Sequence, residues 1–399
     1  MLDRTACERL DAGDPLVGAR SRFSLPAGVV YLDGNSLGAM PAHVPARIEE
    51  VVGVQWGTDL IRSWNVHGWV DLPRRVGDRI AGLIGVAPGS VIACDSTSVN
   101  LHKAVSAALA QTERRVILSD TGNFPTDLYV MANLAELRLV DAQAVPQSID
   151  DDVGVVALTH VGYGTGRMHD MRAVTEAAHA AGALMVWDLA HSAGAMDLDL
   201  GDTDLAVGCG YKYLNGGPGA PAFIYVRPDR LGSFVNPITG WFGHAAPFDF
   251  DLEFVPADGI TRAQVGTPSV LALAALDAAL DVFEGVDLAE LRAKSLSLSD
   301  LFIRLVDQLA LPLDLITPRE RESRGSQVCY SHPDGYAIVQ ALIDRRVIGD
   351  FRTPDVLRFG FAPLYVSYTD VWDAVHVIAD VLATQAHLDP RYAVRGKVT

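Results

Sequence analysis

The chain of 399 residues contains the run YKYLNGG at positions 211–217, and its lysine, Lys212, is one of four lysines in the sequence. An apolar segment, residues 205–210, precedes this run, and its two final glycines predict a turn. A solvated surface lysine is not expected in that context. Because desolvation lowers the pKa of an amine, Lys212 is suited to lose its proton and attack a carbonyl.

An acidic residue upstream indicates what this lysine holds. Asp188 ends the apolar run 184–187 and is followed by Leu189, Ala190 and His191. Pyridoxal 5'-phosphate needs a lysine for its Schiff base and an acidic partner for its pyridinium nitrogen. Asp188 could instead cap a following helix, and His191 could orient Asp188, touch a phosphate or be an ordinary packed histidine. The lysine and the aspartate together favour a pyridoxal-phosphate site.

The sequence around this pair predicts an α/β fold. Short apolar runs without polar alternation are separated by helical patterns, and these runs lie at residues 91–94, 116–118, 153–159, 184–187 and 222–226. Such runs are typical of a mostly parallel sheet covered by helices on both faces. In these sheets ligands collect beyond the carboxyl ends of the strands.

The pattern changes near residue 285. Helices are predicted over about 270–284 and 287–310, then strands near 327–331 and 356–359, and a final amphipathic helix. We therefore expect a large cofactor-binding domain at 45–285 and a smaller α+β domain formed by 1–44 and 286–399. The segment 29–32 joins the small domain or bridges to the large one.

Composition limits the partners and the compartment. The net charge of −17 argues against nucleic-acid and anionic-membrane surfaces, which need positive potential. The four cysteines are far apart in sequence, so free thiols in a reducing cytoplasm are expected. The first residues carry no apolar signal core, and no apolar run reaches membrane-spanning length.

Polar residues at predicted helix starts are candidates for holding a phosphate. Thr97 and Ser98 precede a helix, where hydroxyls are ordinary caps but where N–H groups also bind phosphate. Phe124 opens the sequence FPTD and could be core or could stack on a flat ring. Asp127 suits the first turn of its helix, or could bond a phenolic oxygen.

Two further residues are candidates for function. Trp241 lies in a loop rich in glycine and proline, where function is more common than packing, although a single tryptophan is usually core. Arg358 lies in an apolar strand-like context where a solvated arginine is not expected. Its guanidinium matches a carboxylate bidentately, so a carboxylate clamp is predicted.

Taken in order, these motifs resemble the kynureninases, a family of type I pyridoxal-phosphate enzymes with the aspartate aminotransferase-like fold. The resemblance covers about residues 29–370 and is carried by YLDGNSLG at 31–38, FPTD at 124–127, DLAH at 188–191, YKYLN at 211–215, GWFGH at 240–244, and Arg358 with APLY at 362–365. DLAH or YKYLN alone is moderately specific, whereas the set with GWFGH is strongly so.

The resemblance implies roles for these positions. Lys212 carries the Schiff base and Asp188 pairs with the pyridine nitrogen. The residues implied to line the cofactor are Thr97, Ser98, Phe124 stacked on its ring, Asp127, Thr159, His191 and Tyr211. Those implied to reach the phosphate from the neighbouring subunit of a homodimer are Trp241 and Thr267. Those implied to bind substrate are Arg358 on the α-carboxylate, Asn35, Ser36, Trp64 and Gly266.

By the same resemblance the reaction is hydrolysis of L-kynurenine to anthranilate and L-alanine. Tyr211 is the candidate proton shuttle beside Lys212. Trp64 with Gly266 and Thr267 looks like the bacterial type that prefers kynurenine, although 3-hydroxykynurenine stays open as a substrate. The alternatives are another type I lyase, such as a cysteine desulfurase, and a non-catalytic cofactor-binding protein. Cys329 reads as a buried strand residue, which disfavours the desulfurase.

Overall fold

The computed structural model describes residues 2–396. Its helices, in chain order, are α1 Arg4–Ala12, α2 Val44–Glu50, α3 Ser63–Val66, α4 Leu72–Leu83, α5 Thr97–Leu109, α6 Pro125–Ala132, α7 Met171–Ala180, α8 Val270–Ala279, α9 Leu288–Gln308, α10 Gly335–Asp344 and α11 Tyr368–Ala383. Its strands are β1 Val30–Tyr31, β2 Val91–Ala93, β3 Val116–Asp120, β4 Glu136–Val140, β5 Val153–Thr159, β6 Leu184–Asp188, β7 Leu205–Gly208, β8 Phe223–Val226, β9 Asp314–Leu315, β10 Gln327–Ser331, β11 Val347–Ile348, β12 Asp350–Arg352 and β13 Val356–Gly360.

The predicted α/β fold is confirmed, because a mostly parallel sheet forms the centre of the molecule. Its strand order is β2-β8-β7-β6-β5-β3-β4, and the strands from β4 to β7 in this order are parallel. Within this described sheet β8 is the reversed strand, antiparallel to both of its neighbours, β7 and β2. Both faces are covered, since Val156 and Leu158 of β5 enter a core shared with α4 and α7, whereas Val155 and Ala157 enter one shared with α5.

The strand ends bring the candidate residues to one edge of this sheet. Thr159 is the last residue of β5 and Asp188 is the last residue of β6, and the two are register partners. Helix α5 begins at Thr97, where the Ser96 hydroxyl caps it by accepting from the Val99 amide. The carboxyl edge of the parallel strands is where ligands bind in such sheets.

A second sheet lies in the C-terminal part of the chain. Its order is β12-β13-β10-β9 with antiparallel pairing throughout, and α9, α10 and α11 pack around it. The segment 29–32 was predicted to join the small domain or to bridge to the large one. It contains β1, which pairs in parallel with β11 of this region. Helix α1 packs on α11. The domain limits near residues 45 and 285 stay a prediction.

Two strands of the central sheet were not predicted, nor were the short strands β9, β11 and β12, and one helix is shorter than expected. β4 is an edge strand of half-buried and exposed side chains, so it lacks the apolar run of its neighbours. β7 lies between β6 and β8 in the segment that we had described only as apolar. The helix predicted over 270–284 ends at Ala279 and continues as the 3₁₀ turn Leu280–Phe283.

Within residues 2–396, none of the helices combines the length and the apolar character that crossing a membrane requires. The same described residues contain no group of three or more histidine, cysteine, aspartate or glutamate side chains placed to hold a metal ion.

Candidate active site

A cavity of about 520 Å³ lies at the start of α5 and collects several of the predicted residues. Those among its lining are Thr97, Ser98, Tyr211, Gly266 and Thr267. Because the first N–H groups of a helix are free and carry the positive end of its dipole, the start of α5 suits a phosphate. Thr267 thus lines this cavity from the same chain as Thr97, whereas its predicted contact from a neighbouring subunit stays a prediction.

Lys212 lies on a tightly held loop. Its Nζ is 3.0 Å from Nε2 of His191 and 5.8 Å from the centre of the Tyr211 ring. The backbone amide of Gly38 donates to the Tyr211 carbonyl over 2.8 Å. A Cβ atom on Gly38 would lie 2.2 Å from the Lys212 carbonyl oxygen, so glycine is required for this approach.

Asp188 and Asp127 form a buried acidic pair. Asp188 accepts from the Ala190 amide over 2.8 Å, so its carboxylate orders the turn that follows β6. Burial raises the pKa of Asp188, and the nearby Lys212 opposes this shift. Burial and the charge of Asp188 raise the pKa of Asp127 well above its usual range. A cation placed between these carboxyl groups would therefore be stabilised.

Asn123 connects Thr159 and Phe124 beside this acidic pair. The Thr159 hydroxyl donates to Asn123 Oδ1 over 2.5 Å, and that oxygen also accepts from the Phe124 amide over 2.6 Å. The Phe124 side chain is 44% exposed and makes an edge contact with Tyr163. The ring is therefore not part of the core, and one face is available to a flat ligand.

Arg358 is buried and fully engaged with the protein. Its Nε donates to Asp350 Oδ1 over 2.7 Å, and its Nη2 bonds both Asp350 Oδ2 and the Ser36 hydroxyl. Its Nη1 donates to the Tyr163 carbonyl over 2.9 Å. A substrate carboxylate at Arg358 would thus share the guanidinium with Asp350. Arg352 also pairs with Asp350, at 2.7 Å.

Two polar residues, one buried and one half-buried, adjoin this cluster. Asn35 is fully buried and packs against Gly360, where a Cβ would lie 1.9 Å from Asn35 Oδ1. Neither polar atom of the Asn35 amide has a hydrogen-bond partner among the described residues. Burial, together with the charge of Asp350, raises the pKa of Asp33 to about 7.

Trp64 and Trp241 lie together in an aromatic cluster, which does not contribute to the lining of the cavity at α5. Trp64 is 5.8 Å from Phe242, and Trp241 stacks on Phe250 at 6.1 Å, measured between ring centres. Several exposed apolar side chains belong to the same stretches of the chain as this cluster. They include Trp56 at 57% exposure, Ile61 at 77%, Phe250 at 73% and Leu252 at full exposure.

Sequence reasoning missed four residues that organise these contacts, namely Asn123, Tyr163, Gln327 and Asp350. Asn123 directly precedes the FPTD motif, so its neighbourhood was a usable signal. Tyr163 acts through its backbone carbonyl, which no side-chain pattern reveals. Gln327 and Asp350 come from the second sheet, and only the tertiary fold brings them to the candidate site.

Comparison with known proteins settles the family. A kynureninase of Pseudomonas fluorescens is 50% identical to this chain over an alignment that covers all of both proteins. The chain belongs to the kynureninase family. A kynureninase of Burkholderia pseudomallei strain K96243 is also 50% identical over the full length of both chains. The model of the kynureninase C-terminal domain matches residues 291–378, which span most of the second sheet and its helices.

Solved structures agree on the fold. An apo cysteine desulfurase from Thermococcus onnurineus NA1 superposes with a TM-score of 0.77 at 18% identity, covering 92% of this chain and 98% of that one. A mutant of the lyase C-DES, described with glycine covalently linked to its PLP cofactor, gives 0.78 at 19% identity, covering 90% and 98%. Identities this low carry the fold alone.

Proposed function

We propose that this protein hydrolyses the Cβ–Cγ bond of L-kynurenine, giving anthranilate and L-alanine, with pyridoxal 5'-phosphate bound through Lys212. The observation that carries the proposal is the placement of the Lys212 amine beside His191 and near the buried Asp188, at the carboxyl edge of the sheet. Membership of the kynureninase family supports the same reaction. The name of the full-length Pseudomonas fluorescens relative supports it too.

The residues at this edge fit the cofactor. The free amides at the start of α5, with Thr97 and Ser98, would hold its phosphate. The exposed face of Phe124 would stack on its ring, and the buried Asp188 would bond its pyridine nitrogen. Buried carboxyl groups with raised pKa values call for a cationic partner, and a protonated ring nitrogen is one. When bound, pyridoxal phosphate supplies an electron sink for charge developing at the substrate α-carbon.

The protein's own groups then divide the remaining work. Arg358 orients the amino acid through its α-carboxylate, which fixes the direction of the Cα–H bond. The Lys212 amine removes the Cα proton and returns it to the same carbon, while water supplies the OH of the new anthranilate carboxyl group and the proton that Cβ gains. Burial raises the pKa of Tyr211, as does the neighbouring Cys209, so its phenol stays protonated and can donate a proton during cleavage.

Three finer statements belong to the same proposal. The exposed aromatic and aliphatic side chains around Trp241 support a homodimer, because apolar patches of this kind mark protein interfaces. Trp64 and Trp241 would then reach the active site of the second copy. The free cysteine thiols support a cytoplasmic location. Gly266 beside Thr267, with Trp64, supports a preference for kynurenine over its 3-hydroxy form.

The primary test replaces Lys212 with alanine. We expect loss of the visible absorbance of the bound cofactor and loss of anthranilate fluorescence from kynurenine. Lys397→Ala is the matched control, because no role in the site is assigned to that lysine, and it should keep both signals. Full turnover by Lys212→Ala would refute the assignment. Steady-state kinetics of the wild type on both substrates test the preference, and a reversed ratio would refute it.

The alternative function, a cysteine desulfurase, requires a reactive cysteine as nucleophile. Cys329 is fully buried and burial raises its pKa to about 12, so it is a poor nucleophile. Burial likewise raises the pKa of the Cys94 thiol to about 12. We expect no sulfide release from cysteine under conditions that release anthranilate from kynurenine.

A further inference from the structure

Gln327 is a buried glutamine of β10 that joins the second sheet to the lysine site. Its side chain is 1% exposed, and its Oε1 lies 3.0 Å from Nδ1 of His191. Its Nε2 lies 3.1 Å from the Gly162 carbonyl and 2.9 Å from the Tyr163 carbonyl. The glutamine therefore bonds at once to the two segments that follow β5 and β6.

These partners fix which way the amide points. A carbonyl oxygen only accepts hydrogen bonds, so the group that faces Gly162 and Tyr163 must be the amide NH₂. The amide oxygen consequently faces His191. Because that oxygen only accepts, Nδ1 of His191 must carry the proton.

The state of the other ring nitrogen follows. Burial and the positive charge of Lys212 lower the pKa of His191 well below its usual range, so its ring is neutral. A neutral ring with its proton on Nδ1 presents a bare lone pair at Nε2. That lone pair faces the Lys212 amine at 3.0 Å, where it accepts a hydrogen bond from Nζ.

We propose that Gln327 is a positioning residue, which selects the Nδ1–H form of His191 so that Nε2 accepts from Lys212 and aims its amine. The proposal rests on the role proposed above for Lys212. With the opposite form, Nε2 of His191 would carry an N–H and could not accept from Lys212, so the protonated lysine would lose this acceptor. The amine would then no longer be held in the position that it has in this structure.

The same glutamine links the lysine to the carboxylate-binding region. The Tyr163 carbonyl accepts from Gln327 and also from Nη1 of Arg358 over 2.9 Å. The charged groups that act on His191 are Lys212, Arg358 and Arg352, all cations. An uncharged glutamine oxygen therefore orients the imidazole without drawing a second proton onto it, whereas a carboxylate would favour the doubly protonated ring.

The test measures which ring nitrogen of His191 carries the proton, in protein freed of cofactor. ¹⁵N spectra of histidine-labelled wild type should show one protonated and one bare nitrogen for His191, identified by loss of its signal in His191→Gln. Gln327→Met keeps the volume and removes both polar groups, and it should mix the two ring forms. Gln340→Met, a glutamine of α10, is the matched control and should leave the spectrum of His191 unchanged.

Gln327→Glu provides a second variant should the methionine protein fail to fold. It should keep the proton on Nδ1 and raise the pKa of His191. We expect Gln327→Met to bind added pyridoxal phosphate covalently roughly tenfold more slowly, since one well-placed hydrogen bond is lost. A wild-type His191 with its proton on Nε2 would overturn the inference, as would ring forms unchanged in Gln327→Met or an unshifted pKa in Gln327→Glu.

These outcomes distinguish failure of the proposed reaction from failure of the proposed role of Gln327. If the wild type did not cleave kynurenine, the proposed reaction would fall while the ring state of His191 stayed measurable. If the wild type cleaved kynurenine but its His191 carried the proton on Nε2, only the role of Gln327 would fall.

Discussion

Removing the carboxylate of Asp350 should destabilise the fold strongly. The side chains of Asp350 and Arg358 are 3% and 2% exposed, and two hydrogen bonds join them. Asp350→Ala would leave a guanidinium buried without a counter-ion, and breaking a buried pair in this way costs about 3–5 kcal/mol. The free energy of unfolding, measured by urea titration in the cofactor-free protein, should fall by that amount.

The matched control is another aspartate of the C-terminal region. Asp307 pairs with Arg319 at 2.7 Å, but these side chains are 47% and 56% exposed. Solvent screens such a pair, so Asp307→Ala should cost less than about 1 kcal/mol. Equal losses for the two variants would refute the claim that burial makes the Asp350 carboxylate necessary. In Asp350→Ala the KM for kynurenine should also change, because Arg358 loses the partner that holds its plane.

Three other predictions concern separate features. Burial raises the pKa of Asp33 from 3.8 to about 7, so the folded protein binds this proton more tightly than the unfolded chain, and stability falls as pH rises through that range. At pH 8 the free energy of unfolding of Asp33→Asn, measured by urea titration, should therefore exceed that of the wild type by roughly 1–3 kcal/mol. This gain should disappear towards pH 4. Gly38→Ala should reduce cofactor absorbance and stability by about 1–3 kcal/mol, since its Cβ would meet the Lys212 carbonyl, and an unchanged melting curve would contradict this. Phe250→Glu should shift the sedimentation of a dimer towards that of a monomer, and an unaltered profile would exclude this residue from the interface.

The central sheet could be predicted because its strands are buried on both faces. The strand β5 was predicted with its observed limits, since all its side chains are buried and apolar residues dominate it. The edge strand β4 could not be predicted in this way, because none of its side chains is fully buried and Glu136 and Arg138 interrupt its apolar residues. Burial, and not the place in the sheet, leaves the sequence signal, since the edge strand β2 is also fully buried and was predicted.

For the site, the sequence indicated the chemistry but not the contacts that hold it. Lys212 and Asp188 were recognisable because a lysine and a carboxylate in apolar surroundings need a reason to be there. The bond between Arg358 and Asp350 was not predictable, because a clamp for a substrate and a structural ion pair look alike in sequence. Gln327 reaches His191 over 136 positions of chain, and nothing local marks such a contact.

The pairing of β5 with β6 determines how the chemistry can vary. Because Thr159 and Asp188 are register partners, their separation is set by the spacing of neighbouring strands, about 4.8 Å, and not by side-chain packing. Insertions in the loops that follow these strands leave that separation unchanged. A slip of one residue would instead point Asp188 to the opposite face of the sheet. The loops can therefore change over evolutionary time while Asp188 keeps its place at the carboxyl edge of the sheet.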